Sequence, residues 1–426
     1  MIECKNLTNG LRIATAGTYF TCCHTFNHPY MDENGKEMLA SVHTIEEALK
    51  SPTRQEMLKD FENDIKHPAC KVCWDSEDSG FTSKRERDNQ TFYMNQITKD
   101  DDIFFLELNL GNTCNLACRI CHISASSKWK KFHHITEPNV TEEKLDFYVD
   151  RYSRSFTDES IVWEELEKVI PNVKSLDIYG GEPMLMKKQW DILEKCIQKG
   201  YATNQQMSFN TNGTIINDKY VQILTSFKHC RVGFSIDGVG PRFNYLRYYG
   251  EWDIVNQNVK SWLEKTKHIA KYKLMFEVAC TVSILNVLYI YEVADFTIEN
   301  GLNLYVAFVH NPRHLHIGNI PNEFKDIIIE KLEIEKELRR VKYNQEILSS
   351  PERRNYIQTI LNQVDKIIDT LKMYKTTEPN QWSNFMIQTH GLDLLREESF
   401  AKTFPELAEI YKFKPDNTNK STLKII

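Results

Sequence analysis

The sequence predicts an α/β protein: a partial (β/α)6, TIM-like barrel, preceded by a small metal-stapled domain and followed by a helical extension. Three observations predict it. From about residue 103, apolar β-rich runs alternate with amphipathic segments, the pattern of a parallel sheet with right-handed crossovers. Unusual residues gather at the ends of those runs, where barrels carry their active sites. The flanking composition also differs, being polar and cysteine-paired before the runs and charged and helical after them.

The expected strands are "IFFLELNL" (103–110), "VKSLDIY" (173–179), "QMSFNT" (206–211), "RVGFSI" (231–236), "LMFEVACTVS" (274–283) and "LNLYVAFV" (302–309). Between them lie "KKQWDILEKCIQKG", "NDKYVQILTSF", "NVKSWLEKT" and "LYIYEVADFTIENG", whose apolar residues recur at helical spacing. Beyond "FVHNPRHLHIGNIP", residues 322–374 read as two amphipathic helices separated by "SSPERR". A last helical stretch, 392–412, precedes a polar tail. The expected organisation is therefore an N-terminal unit over 1–98, the barrel over 99–321 and a helical extension over 322–426.

With 426 residues, 41% of them hydrophobic, the chain can bury a sizeable core. No apolar stretch approaches the roughly 18 uncharged residues of a membrane span, and "MIECKNLTNGLRIA" has no basic-then-apolar leader pattern. The expectation is a cytoplasmic protein with no membrane partner. A net charge of -6 argues against nucleic acid as a partner, although "SSKWKKFHH" is a local basic patch. In a reducing compartment the eleven cysteines would stay unpaired, so their clusters point to metal or catalysis.

Cys114, Cys118 and Cys121 follow the first strand, "GGEP" (180–183) the second and "TNG" (211–213) the third, while "SIDG" (235–238) ends the fourth. Three close thiolates suit a 4Fe-4S cluster with one iron left open to another ligand. On spacing alone, a zinc site completed by His122, His133 or His134, or plain buried cysteines, remain open alternatives.

Taken together, Cys114-x3-Cys118-x2-Cys121, "YGGEPML", "TNG" and "FSIDG" resemble the radical S-adenosylmethionine (SAM) superfamily, in particular its branch with SPASM or twitch auxiliary-cluster domains. The resemblance covers about residues 100–312. It implies that Cys114, Cys118 and Cys121 hold three irons while SAM chelates the fourth. Gly180 and Gly181 would let backbone approach a ligand, and Glu182 would accept from the SAM ammonium. Ser235 would bond a ribose hydroxyl, Arg247 would pair with the SAM carboxylate, and Asn212 and Asp237 would stand near this rim or simply shape turns. One departure is Ile120, where the superfamily commonly has an aromatic residue.

Cys4, Cys22, Cys70 and Cys73 resemble the first half of a SPASM or twitch pattern, displaced to the N-terminus. They would ligate a second, auxiliary iron-sulfur cluster, with Cys23 as substitute for Cys22; a four-cysteine zinc knuckle and unligated thiols are the alternatives. His310, Arg313, His314 and His316 follow strand six, and His310, His314 and Asp237 are the candidate catalytic groups.

The resemblance thus implies an oxidoreductase that cleaves SAM to a 5'-deoxyadenosyl radical and abstracts hydrogen from a peptide or protein side chain. A small-molecule substrate such as a carbohydrate, or a non-catalytic zinc-binding interaction protein, are the other readings. An external donor such as flavodoxin or ferredoxin would supply the electron.

Overall fold

The computed structural model describes residues 2–78, 82–90, 102–153, 156, 160–374 and 379–413. The expected boundary at 98/99 and the polar tail lie outside the described residues.

Eight strands form one sheet: β1 (Gly10–Ile13), β2 (Tyr19–Phe20), β3 (Phe105–Asn109), β4 (Ser175–Tyr179), β5 (Gln206–Thr211), β6 (His229–Ser235), β7 (Leu274–Val282) and β8 (Asn303–Phe308). Their order is β2-β1-β3-β4-β5-β6-β7-β8, with every pair parallel except the β1–β2 hairpin. The six expected strands are β3 to β8 in sequence order. Among the described residues β8 pairs only with β7, so the sheet they form does not close on itself.

Alternation along the strands separates the two faces. Leu106, Leu108, Leu176, Ile178, Met207, Phe209, Val232, Phe234 and Val278 are buried with Leu166, Leu193, Leu224, Val259 and Trp262 of the connecting helices. Each such fully buried side chain contributes about 1.5–3 kcal/mol. The opposite, inner face is polar. It carries Glu107 on β3, Asp177 on β4, Ser208 on β5, Arg231 on β6 and Glu277 on β7. Ser208 donates to Asp177, and Arg231 pairs with Glu277.

The N-terminal region is joined to this sheet rather than standing apart. β1 extends the sheet beside β3, with Leu11 opposite Leu106 and Ile13 opposite Leu108. The helix Lys84–Asn89 reaches β3 through Lys84 and Glu107, 3.1 Å apart, and β8 through Arg87 and Tyr305, so it spans the gap left by the open sheet. A separate small core of Cys4, Leu7, Met57, Phe61, Ala69, Cys70 and Trp74 holds the N-terminal lobe together.

After β8 come the helices Asn322–Lys342, Pro351–Met373 and Pro379–Arg396. Ser350 caps the second, accepting from the Arg353 N–H at 3.1 Å, with Pro351 as its first residue. Its buried row of Ile357, Ile360, Leu361, Val364, Ile367, Ile368 and Leu371 has helical spacing. The third helix starts at Pro379, well before the expected position 392, because its polar residues and Gly391 weaken the apolar pattern.

Candidate active site

The cysteine loop leaves β3 and is fixed mainly through its backbone. Ala117 N–H donates to Tyr248 O (3.0 Å) and Arg119 N–H to Leu246 O (2.8 Å), which ties the loop to the segment bearing Arg247. Trp129 Nε1 donates to Cys118 O at 2.9 Å, and Ser126 Oγ to Leu116 O at 2.5 Å. Cys118 is buried, whereas Cys114 and Cys121 are half-buried.

Arg247 Nη1 lies 3.8 Å from Cys118 Sγ, and Nη2 lies 2.7 Å from Asp237 Oδ2. A hydrogen bond with Cys121 lowers the Cys118 thiol, burial opposes this and the Arg247 charge adds to the lowering, while the same bond and burial raise Cys121. Thiolate is the metal-binding form. Burial instead pushes Cys114 up to about 12. Burial works against the Arg247 charge, but Asp237 and the nearby thiols more than offset it, so its pKa is raised. Arg247 Nε is buried without a hydrogen-bond partner among the described residues. This donor set fits an anionic iron-thiolate group with a carboxylate-bearing cofactor beside it. Among the described residues no three His, Cys, Asp or Glu side chains converge on one ion; a cubane spreads its thiolates over separate irons.

The motif after β4 serves the same loop. A Cβ at Gly181 would stand 2.1 Å from Thr113 O, and one at Gly180, whose φ is +134°, 2.9 Å from Gly111 O. The two glycines therefore admit the backbone of the cysteine loop itself. Glu182, 1% exposed, accepts from Met184 N–H (3.0 Å), Thr211 Oγ1 (2.8 Å) and Asn212 N–H (2.7 Å). Its carboxylate braces the turn against the end of β5. Burial raises its pKa and these three bonds pull against the rise.

Asn212 Nδ2 donates to Asn115 Oδ1 at 2.9 Å, and Asn115 Nδ2 to Thr214 Oγ1 at 2.8 Å, linking "TNG" to the cysteine loop. Asp237 accepts from Thr281 N–H at 2.8 Å and is buried beside Arg247. Ser235 is the last residue of β6 and is half-buried. Cysteine loop, "GGEP", "TNG" and Asp237–Arg247 thus meet at the carboxyl rim of β3 to β7.

Cys4, Cys22 and the adjacent pair Cys70 and Cys73 come from three places in the N-terminal lobe and line one small cavity with His24, Lys84 and Arg85. His24 Nδ1 is 3.5 Å from Cys73 Sγ. Burial raises all four thiols, a tendency that a bound metal would reverse. Two cationic side chains at the wall suit a thiolate-rich group. Cys23, in the next position, faces elsewhere.

Cys23 lines an open cleft of about 670 Å³ together with Arg12, Asn109, His122, Arg151 and His310. Its volume lies within the usual range for ligand pockets. It runs between the β1–β2 hairpin, the residues just after Cys121 and the loop after β8. His310 is on this wall, but His314 is buried and its pKa is pushed down to about 4 by that burial. Sequence reasoning missed Arg12 and Arg151, because single arginines on a short strand and on a surface-type helix carry no pattern. It also missed Arg119, whose carboxylate partner Asp393 lies 274 positions away in sequence.

Residues 108–288, which carry the cysteine loop and the rim of β3 to β7, match the family model described as the Radical SAM superfamily. No curated protein matches the chain. Solved structures similar to it include native anSMEcpe with bound AdoMet and Cp18Cys peptide, at 19% identity and a TM-score of 0.35, covering 53% of this chain and 58% of that one. Streptococcus suis SuiB bound to precursor peptide SuiA is 15% identical with a TM-score of 0.34, covering 74% of this chain and 55% of that one. The chain therefore spans less than two thirds of the length of either. No helix among the described residues is long and apolar enough to cross a membrane.

Proposed function

We propose that this chain is a radical SAM enzyme of the SPASM or twitch kind, acting on a peptide or protein side chain. The observation that carries the reading is the cysteine loop set against Arg247, with Cys118 Sγ 3.8 Å from its guanidinium and Asp237 behind it at 2.7 Å. Cys114, Cys118 and Cys121 would hold the cluster. When bound, cluster and SAM supply a 5'-deoxyadenosyl radical that removes a hydrogen atom from the substrate.

The chain's own part is to hold and to exclude. Arg247 orients a carboxylate of the cofactor by a charge-assisted fork. Glu182 and Asn212 keep the rim in register, so that the groups facing the cofactor stay in place. Arg12, Asn109, His122, Arg151 and His310 line the cleft where a substrate would lie. An open cleft with amide, imidazole and guanidinium groups suits an extended chain, which can enter sideways and pair its peptide groups. The openness of the cleft, which does not enclose one small molecule, is what supports a chain-like substrate; the likeness to the peptide-bound structures, at TM-scores below 0.5, adds no weight. The N-terminal cysteine cavity supports an auxiliary iron-sulfur cluster, and an external one-electron donor such as flavodoxin or ferredoxin would feed the protein.

A second reading for the N-terminal site alone is zinc, for which His24, within 3.5 Å of Cys73, and the thiols would have to draw together onto one ion. The function is tested by incubating reconstituted protein with SAM and dithionite. Formation of 5'-deoxyadenosine that is lost in Cys118→Ala is the expected result. Equal formation in both proteins would remove the cysteine loop from the account.

A further inference from the structure

We propose that Arg396 is a charge partner of the cluster held by Cys114, Cys118 and Cys121, and that its guanidinium raises the potential at which that cluster accepts an electron. The inference rests on the function proposed above and adds a residue that lies outside the matched domain.

Arg396 is the last residue of the helix Pro379–Arg396 and is 5% exposed. Its Nε, Nη1 and Nη2 are all buried with no hydrogen-bond partner among the described residues. Three rings surround it instead. Its guanidinium carbon is 4.4 Å from the ring centre of Phe132, 4.5 Å from that of Tyr248 and 5.4 Å from that of Trp129. Ring faces attract a cation but do not neutralise it. A buried charge with no counter-charge is strongly unfavourable.

The neighbouring carboxylates are already engaged. Arg119 Nη2 holds Asp393 Oδ1 at 2.6 Å and Glu398 Oε2 at 2.8 Å, and Asp393 also accepts from Tyr245 Oη and Phe400 N–H. What does lie close is the cysteine loop. Trp129, one wall of the cage, donates to Cys118 O, and Tyr248, another wall, accepts from Ala117 N–H. Burial and then Arg119 draw the Arg396 pKa down to about 10 against the opposing pull of Glu398, shared with Arg119, and of Cys118, so the group remains a cation at neutral pH.

A cluster with three thiolate ligands is anionic and becomes more so on reduction. A fixed cation in a medium of low polarity favours the reduced form, and net charge is among the factors that set such potentials. The electron comes from the external donor. Arg396 gains and loses neither electron nor proton. Its length and its planar head, which lies flat between rings, make arginine the fitting residue.

The test is a redox titration of the reconstituted full-length protein followed by electron paramagnetic resonance, using the signal that changes when SAM is added. Arg396→Gln and Arg396→Met are expected to move that signal to a more negative potential, with Arg396→Lys staying nearer the wild type. Equal potentials in all four proteins would overturn the inference while leaving the function standing. A wild-type protein without any SAM-responsive signal would overturn both.

Thermal unfolding guards against a merely structural role. In cluster-free protein Arg396→Met should raise the midpoint by removing an unbalanced charge, and in loaded protein it should lower it. A fall of similar size in both forms would also overturn the inference.

Discussion

Arg119 lies between two of the loop cysteines, and its Nη2 donates to Asp393 Oδ1 at 2.6 Å, across 274 positions of sequence. The same nitrogen reaches Glu398 at 2.8 Å, Nε donates to Tyr245 O at 3.2 Å, and the guanidinium carbon lies 3.6 Å from the Tyr245 ring centre. The C-terminal extension is thereby bolted to the loop that would carry the cluster. Truncating a member of such a buried network leaves its partner without compensation.

Asp393→Ala is expected to cost about 3 kcal/mol of stability, because it leaves the buried Arg119 with Glu398 as its carboxylate partner and also releases Tyr245 and Phe400 N–H. Denaturant unfolding of the metal-free protein measures this. A cost below about 1 kcal/mol would show that Glu398 suffices alone.

Arg247→Ala should weaken SAM binding by about 1.5–3 kcal/mol, the loss of a charge-assisted pair. It should also destabilise the fold, since Asp237, 2% exposed, loses its cation. Adding Asp237→Asn should restore part of the stability and none of the SAM affinity. Calorimetric titration alongside thermal unfolding separates the two effects, and recovery of affinity in the double variant would contradict the assignment.

Glu182→Gln keeps the shape but replaces one acceptor oxygen with an NH2 group facing the Asn212 N–H or the Met184 and Thr211 donors. A loss of about 2 kcal/mol is expected, together with weaker cluster retention because "TNG" is tied to Asn115. Unchanged stability would mean that the brace is dispensable.

Cys22→Ser should abolish metal retention at the N-terminal site while Cys23→Ser leaves it intact, since only Cys22 shares the cavity with Cys4, Cys70 and Cys73. Metal analysis of both variants decides it, and the reverse outcome would exchange their roles.

Much of the fold could be read beforehand. β5 occupies the expected 206–211, and the other five barrel strands begin and end within about two residues of the expected runs, because their β-rich apolar positions are bounded by turn residues and helical patterns. β1 was hidden: four residues with only Leu11 and Ile13 apolar acquire meaning through pairing with β3. At the site, motif order located the rim, but it could not show that Gly181 makes room for Thr113 or that Glu182 is occupied by three protein donors. Nor could spacing choose between Cys22 and Cys23, since adjacent residues turn to different cavities. Arg119 and Arg396 were illegible for the same reason as each other: their partners are set by how the last helix packs, not by any local pattern.

The most direct measurement is iron and acid-labile sulfide per chain after anaerobic reconstitution, in the wild type and in the Cys114→Ala, Cys118→Ala, Cys121→Ala triple variant. The account predicts about eight irons falling to about four, one cubane at the loop and one in the N-terminal lobe. No iron in either protein would contradict the enzymatic reading and leave a zinc-binding protein in its place.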